Sequence, residues 1–120
     1  MKKKILFVDD DFLLRELMSE MLSEMDYDVD LAESSEEAVH TFHDHPKDYD
    51  LVLTDLLLLD GTGDEVAKKI RSIRADIPVV VMTGTPHGLP PIEAEAAGVC
   101  KVLPKPLTRA ELVEGLRDVF

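Results

Sequence analysis

Five times along these 120 residues a short apolar run gives way to a segment whose apolar side chains recur at helical spacing. That alternation constrains the fold more than any other feature, because a strand followed by a helix returns to a strand most simply through a parallel crossover. The runs occupy residues 5–8, 28–31, 51–55, 78–82 and 100–103. Between them, Leu14, Leu17, Met18, Met21, Leu22 and Met25 mark one helix, and Ala38, Val39 and Phe42 a second. Val66, Ala67, Ile70 and Ile73 mark a third, residues 92–97 a short fourth, and Leu112, Val113, Leu116, Val119 and Phe120 one face of a fifth.

The breaks carry their own signals. Asp10 or Asp11 caps the first helix. Ser34 with Glu37, Thr62 with Glu65 and Thr108 with Glu111 each read as a capping box. Residues 43–48 read as a polar loop and residues 60–63 as a turn. Pro91 suits the first turn of the fourth helix and Gly98 its end. Strand chemistry then orders the sheet. The first, third and fourth runs are apolar, which suits burial on both faces. The second carries Asp28 and Asp30, and the fifth carries Lys101 and ends at Pro104; charge and proline mark edges. Residues 1–120 are therefore expected to form a single α/β domain, a doubly wound (βα)5 parallel sheet of flavodoxin-like order 2-1-3-4-5.

In such a sheet, chemistry collects beyond the carboxyl ends of the strands where the strand order reverses, here between the first and third. Asp9, Asp10 and Asp55 converge there. Thr83 ends the fourth strand and Lys105 follows the fifth. Three carboxylates in one crevice repel one another. A hard dication such as Mg²⁺, which takes carboxylates, waters and phosphate oxygens, relieves this, and with Lys105 it brings the formal charge of the set to zero. A carboxylate nucleophile, a metal, a lysine and a hydroxyl compose a phosphoryl-transfer site.

Composition narrows the field further. A net charge of -12 argues against direct nucleic-acid binding. The single Cys100 leaves no internal disulfide and fits a reducing compartment. The basic start resembles a signal peptide, but its apolar run is short and meets three acids. No stretch approaches the roughly 18 apolar residues of a membrane span, so a cytoplasmic protein without membrane insertion is expected. His40, His43, His45 and His87 show no supporting shell for zinc, and Gly61-Thr62-Gly63 lacks the full pattern of a dinucleotide loop.

Val8-Asp9-Asp10, Leu53-Thr54-Asp55, Val81-Met82-Thr83-Gly84 and Pro104-Lys105-Pro106 follow one another over the whole chain, and together they resemble the receiver domain of two-component response regulators, of the CheY-like superfamily. The resemblance implies that Asp55 accepts a phosphoryl group from a phosphohistidine of a sensor histidine kinase or phosphotransfer protein. It implies that Asp9, Asp10, Asp55 and the Leu57 backbone carbonyl hold Mg²⁺, or Mn²⁺ in its place. Thr83 and Lys105 would bind the acyl phosphate. It further implies a cis Lys105-Pro106 bond and a signalling switch with slow self-dephosphorylation rather than an enzyme, Leu57 and Thr85 flanking the path of the attacking water. The implied partners include a downstream protein target or output domain, and a weak homodimer.

The chain departs from the family pattern at Leu59, where many receivers have proline, and at Val102, where most have an aromatic that swings inward as the threonine moves. Pro86, Pro90 and Pro91 crowd the loop before a short fourth helix. Two other readings stand beside this one. A haloacid-dehalogenase-like phosphatase uses the same groups, but residues 9–13 lack the last element of its nucleophile motif and no cap domain fits. A degenerate receiver acting only as a binding module conflicts with the complete residue set. The chain is expected to be a stand-alone regulator or a receiver cut from a longer protein such as a hybrid kinase.

Overall fold

Alternate residues of each central strand enter different cores, and that division builds the molecule. The computed structural model describes residues 2–85 and 88–120. Pro86 and His87, part of the expected proline-rich loop, lie outside the described residues. Strands β1 (Lys4–Val8), β2 (Asp28–Ala32), β3 (Leu51–Asp55), β4 (Val79–Thr83) and β5 (Lys101–Pro104) form one parallel sheet in the order β2-β1-β3-β4-β5. The expected order is therefore borne out, with the two charged strands at the edges.

Helices α1 (Phe12–Glu24) and α5 (Arg109–Leu116) cover one face. Met18 and Leu22 of α1 and Leu112 and Leu116 of α5 pack there against Ile5, Phe7, Leu51 and Leu53. Helices α2 (Ser35–Asp44), α3 (Gly63–Ile73) and α4 (Pro91–Ala97) cover the other. Phe42, Val66, Ile70 and Ala94 meet Leu6, Val8, Val52, Val79 and Val81 on that side. Each buried Val, Leu, Ile, Phe or Met among these contributes about 1.5–3 kcal/mol of transfer free energy, which is why the two-sided apolar strands hold the centre.

Several local expectations need correction. The polar loop begins later than expected, because α2 runs on to Asp44. Thr62 makes no side-chain cap; its hydroxyl donates to the Glu65 carboxylate at 2.8 Å instead. Only the Thr108–Glu111 pair forms the full reciprocal box, while Ser34 Oγ accepts the Glu37 N–H. The turn at residues 60–63 is part of a small antiparallel hairpin that pairs Leu57–Leu58 with Gly61–Thr62. Leu17, Val113 and Phe120, expected on buried faces, are exposed.

Gly63 opens α3 against the end of β3. A Cβ there would stand 2.6 Å from the Asp55 carbonyl oxygen and 3.2 Å from Leu56 Cα. Both are main-chain atoms, and neither can rotate away. Gly63→Ala is expected to destabilise the protein by about 2 kcal/mol, a typical overpacking cost. Chemical denaturation checks this, and an unchanged midpoint would contradict the close approach.

Candidate functional site

Pairing in the sheet continues one residue past three strand ends, and this fixes the main chain of the site. Asp9 N–H donates to the Ala32 carbonyl at 3.1 Å, Leu56 N–H to the Met82 carbonyl at 2.8 Å, and Lys105 N–H to the Thr83 carbonyl at 2.8 Å. Asp9, Asp55, Thr83 and Lys105 are thus held along one edge by the ladder itself. Asp9 is fully buried and Thr83 nearly so.

Asp11 is the N-cap of α1, its carboxylate accepting the Leu14 N–H at 3.2 Å. That leaves Asp10 free to face the site. One carboxylate oxygen from each of Asp9, Asp10 and Asp55 lies within 4.8 Å of the others, the single acidic or histidine group of this kind among the described residues. Two ligands of one Mg²⁺ lie at most about 4.2 Å apart, twice its usual bond length. Small side-chain adjustments would let these oxygens share one ion, and the hard donors fit the expected metal. Leu57, whose carbonyl the resemblance added to this set, sits in the hairpin opposite Thr62, its side chain exposed.

Lys105 Nζ stands 3.1 Å from Asp55 Oδ2 and 3.4 Å from Asp9 Oδ2. It acts as the internal counter-ion of the acids. Even so, burial pushes the Asp55 carboxyl above its ordinary value; Lys105 pulls it back, and Asp9 pushes it up again. The Lys105-Pro106 peptide is cis, as the resemblance implied. Thr83 lies in the expected place, but its hydroxyl bonds to Thr85. Asp55, Thr83, Thr85 and Lys105 share a cavity of about 540 Å³ whose wall includes Leu17 and Leu107.

Two residues with a part in the site, and one contact between expected ones, were absent from the sequence expectations. Arg15 donates to the Asp9 carbonyl at 2.8 Å and ties the first turn of α1 to the acidic loop. The Asp60 carboxylate accepts the Ser35 and Glu36 N–H groups at 2.8 and 3.0 Å, anchoring the loop after Asp55 to the start of α2. Those bonds hold its carboxyl below its ordinary value. The Thr83–Thr85 pairing has the form of a turn in which a hydroxyl bonds main chain two residues on. Nothing in the sequence flagged Asp60.

Residues 5–117 match the family model of the response regulator receiver domain. The chain is 31% identical over 117 residues to a transcriptional regulatory protein CpxR homolog of Haemophilus influenzae, covering 98% of this chain and 50% of that protein. It is 34% identical over 121 residues to the response regulator MprA of Mycolicibacterium vanbaalenii, covering all of this chain and 51% of that one. The chain thus spans about half the length of the curated relatives it matches. Among solved structures, the response regulator TrrA of Thermotoga maritima in complex with Mg²⁺ and BeF superposes with a TM-score of 0.87 at 33% identity, over 98% of this chain and 99% of that one.

The raised Asp55 value has a pH signature in the metal-free protein. Below the unfolded value of 3.8 both states are protonated there and no penalty arises. As pH rises through that value the unfolded chain ionises first, and folding loses stability until the folded carboxyl ionises too. Asp55→Asn is therefore expected to match the wild type well below pH 3.8 and to melt above it at pH 7, where the unfolded carboxyl is fully ionised. Melting curves in chelator across that range check it; a gap that shrinks as pH rises would contradict it.

Proposed function

Because the chain belongs to the response regulator receiver family, we propose that Asp55 is the phosphoacceptor of a two-component phosphorelay, loaded from a phosphohistidine of a sensor kinase or phosphotransfer protein. The observation that carries this is the pairing of Asp55 Oδ2 with Lys105 Nζ at 3.1 Å, beside an open cavity and within reach of two further acids. An Asp55 oxygen attacks phosphorus, a P–O bond forms, and the P–N bond to the imidazole breaks with its electron pair leaving on nitrogen. Lys105 then shifts from the carboxylates to a phosphoryl oxygen, where its point charge offsets the charge brought in. The Thr83 hydroxyl donates to a second oxygen.

Asp9, Asp10, Asp55 and the Leu57 carbonyl would hold Mg²⁺, which supplies positive charge to the phosphoryl oxygens when bound; Mn²⁺ suits the same oxygen donors. Leu57 projects an apolar side chain beside the site and cannot hydrogen-bond an attacking water, so the acyl phosphate decays slowly. The output is a change in binding to a downstream protein or output domain, with a weak homodimer as a second form. No helix among the described residues is long and apolar enough to cross a membrane, which accords with a proposed cytoplasmic setting. The family match favours this reading over the phosphatase alternative, and the complete acidic and basic set favours it over a binding module alone.

Incubation with acetyl phosphate and Mg²⁺ followed by intact mass measurement tests the assignment. The wild type is expected to gain one phosphoryl group and Asp55→Asn none; phosphorylation that persists in the variant would refute it. The decay of that mass peak after quenching the donor is expected to be several-fold faster in Leu57→Asn, whose amide can orient water. Equal decay would remove Leu57 from the account of lifetime.

A further inference from the structure

For the proposed transfer, the Thr83 hydroxyl must reach a phosphoryl group on Asp55, yet in the structure it is committed elsewhere. Thr83 Oγ1 lies 3.1 Å from the Thr85 carbonyl oxygen and 3.1 Å from Thr85 Oγ1, and it accepts the Thr85 N–H at 3.0 Å. A hydroxyl has one hydrogen to donate. While that hydrogen points at Thr85, it cannot serve a phosphoryl oxygen.

Thr85 is itself held in place. Its carbonyl accepts the Gly88 N–H at 2.8 Å. A Cβ at Gly88 would stand 2.7 Å from Thr85 Oγ1 and 3.1 Å from the Thr85 carbonyl oxygen, so only glycine permits this approach. Leu89, next in the chain, is buried in the core with Ala94 and Val99. Thr85 is exposed and borders the same cavity as Asp55 and Lys105. The grip on Thr83 thus sits at the mouth of the site and is anchored to the core behind it.

We propose that Thr85 is a positioning residue that latches the Thr83 hydroxyl away from Asp55, so that loading the site requires this latch to open. The inference rests on the phosphoacceptor reading of Asp55. Two arrangements of Thr83 then compete: one bonded to Thr85, the other to the phosphoryl group. Weakening the first shifts the population toward the second before any ligand arrives. The Thr85 main-chain groups remain in every variant, so removing its hydroxyl loosens the latch without abolishing it. The loss of one such hydrogen bond corresponds to a change of about two- to tenfold in the balance.

The test measures affinity for beryllofluoride in the presence of Mg²⁺, and for Mg²⁺ alone, in the wild type, Thr85→Val, Thr85→Ser and Gly88→Ala. Thr85→Val removes the hydroxyl at nearly constant shape. Gly88→Ala displaces Thr85 from the other side. Both are expected to bind beryllofluoride about two- to tenfold tighter, with Mg²⁺ affinity unchanged, and Thr85→Ser to restore the wild-type value. In unliganded Thr85→Val the Thr83 methyl resonance should move part of the way toward its position in the beryllofluoride-loaded wild type. A merely structural role would not tighten binding or show rescue by serine. A wild type that binds beryllofluoride, with Thr85→Val equal to it or weaker, overturns the latch alone. A wild type that takes up no beryllofluoride overturns the phosphoacceptor reading and the latch with it.

Discussion

Main-chain hydrogen bonding between parallel strands is the constraint on which the rest depends. Val8 pairs with Thr54, Asp55 with Met82, and Thr83 with Pro104. Strands in that register end together, so the residues just beyond them meet whatever their charges prefer. Asp9 and Asp55 would separate if free to do so. The ladder holds them near each other, and two cores of apolar side chains hold the ladder. The energy that keeps like charges together is therefore hydrophobic in origin and is supplied several ångströms away from the site.

Lys105 is what makes this arrangement tolerable. Its ammonium serves two carboxylates and sits where an incoming phosphoryl oxygen would need a cation. The same group would be available to a phosphoryl group on Asp55, after only a short movement of a flexible side chain. Thr83 follows the same logic from the opposite side. Its hydroxyl satisfies its hydrogen bonding through Thr85, a partner it would have to leave to serve a phosphoryl group. Val102 is half-buried and packs against the core on the side of α3 and α4.

The sheet order was legible in the sequence because charge and proline are costly in the middle of a two-sided sheet. Asp28, Asp30, Lys101 and Pro104 therefore announced their strands as edges, and the acids and lysine at strand ends followed from the order. What escaped was local hydrogen bonding across long sequence separations. Asp60 caps α2 from 24 and 25 residues away, and no periodicity encodes that partnership. Thr62 had the spacing of a capping box, but its hydroxyl turned to the Glu65 side chain, so the spacing was present without the geometry. The direction of the Thr83 hydroxyl was beyond reach for the same reason: a residue's place on a strand does not set its rotamer.

If three carboxylates are held together against their repulsion, a dication that joins them must stabilise the fold by mass action. The most direct measurement is the melting temperature of the wild type and of Asp55→Asn as Mg²⁺ is raised into the millimolar range. The account predicts a rise of several degrees in the wild type and a much smaller one in the variant, which starts from a higher value. A wild-type curve indifferent to Mg²⁺ would contradict it.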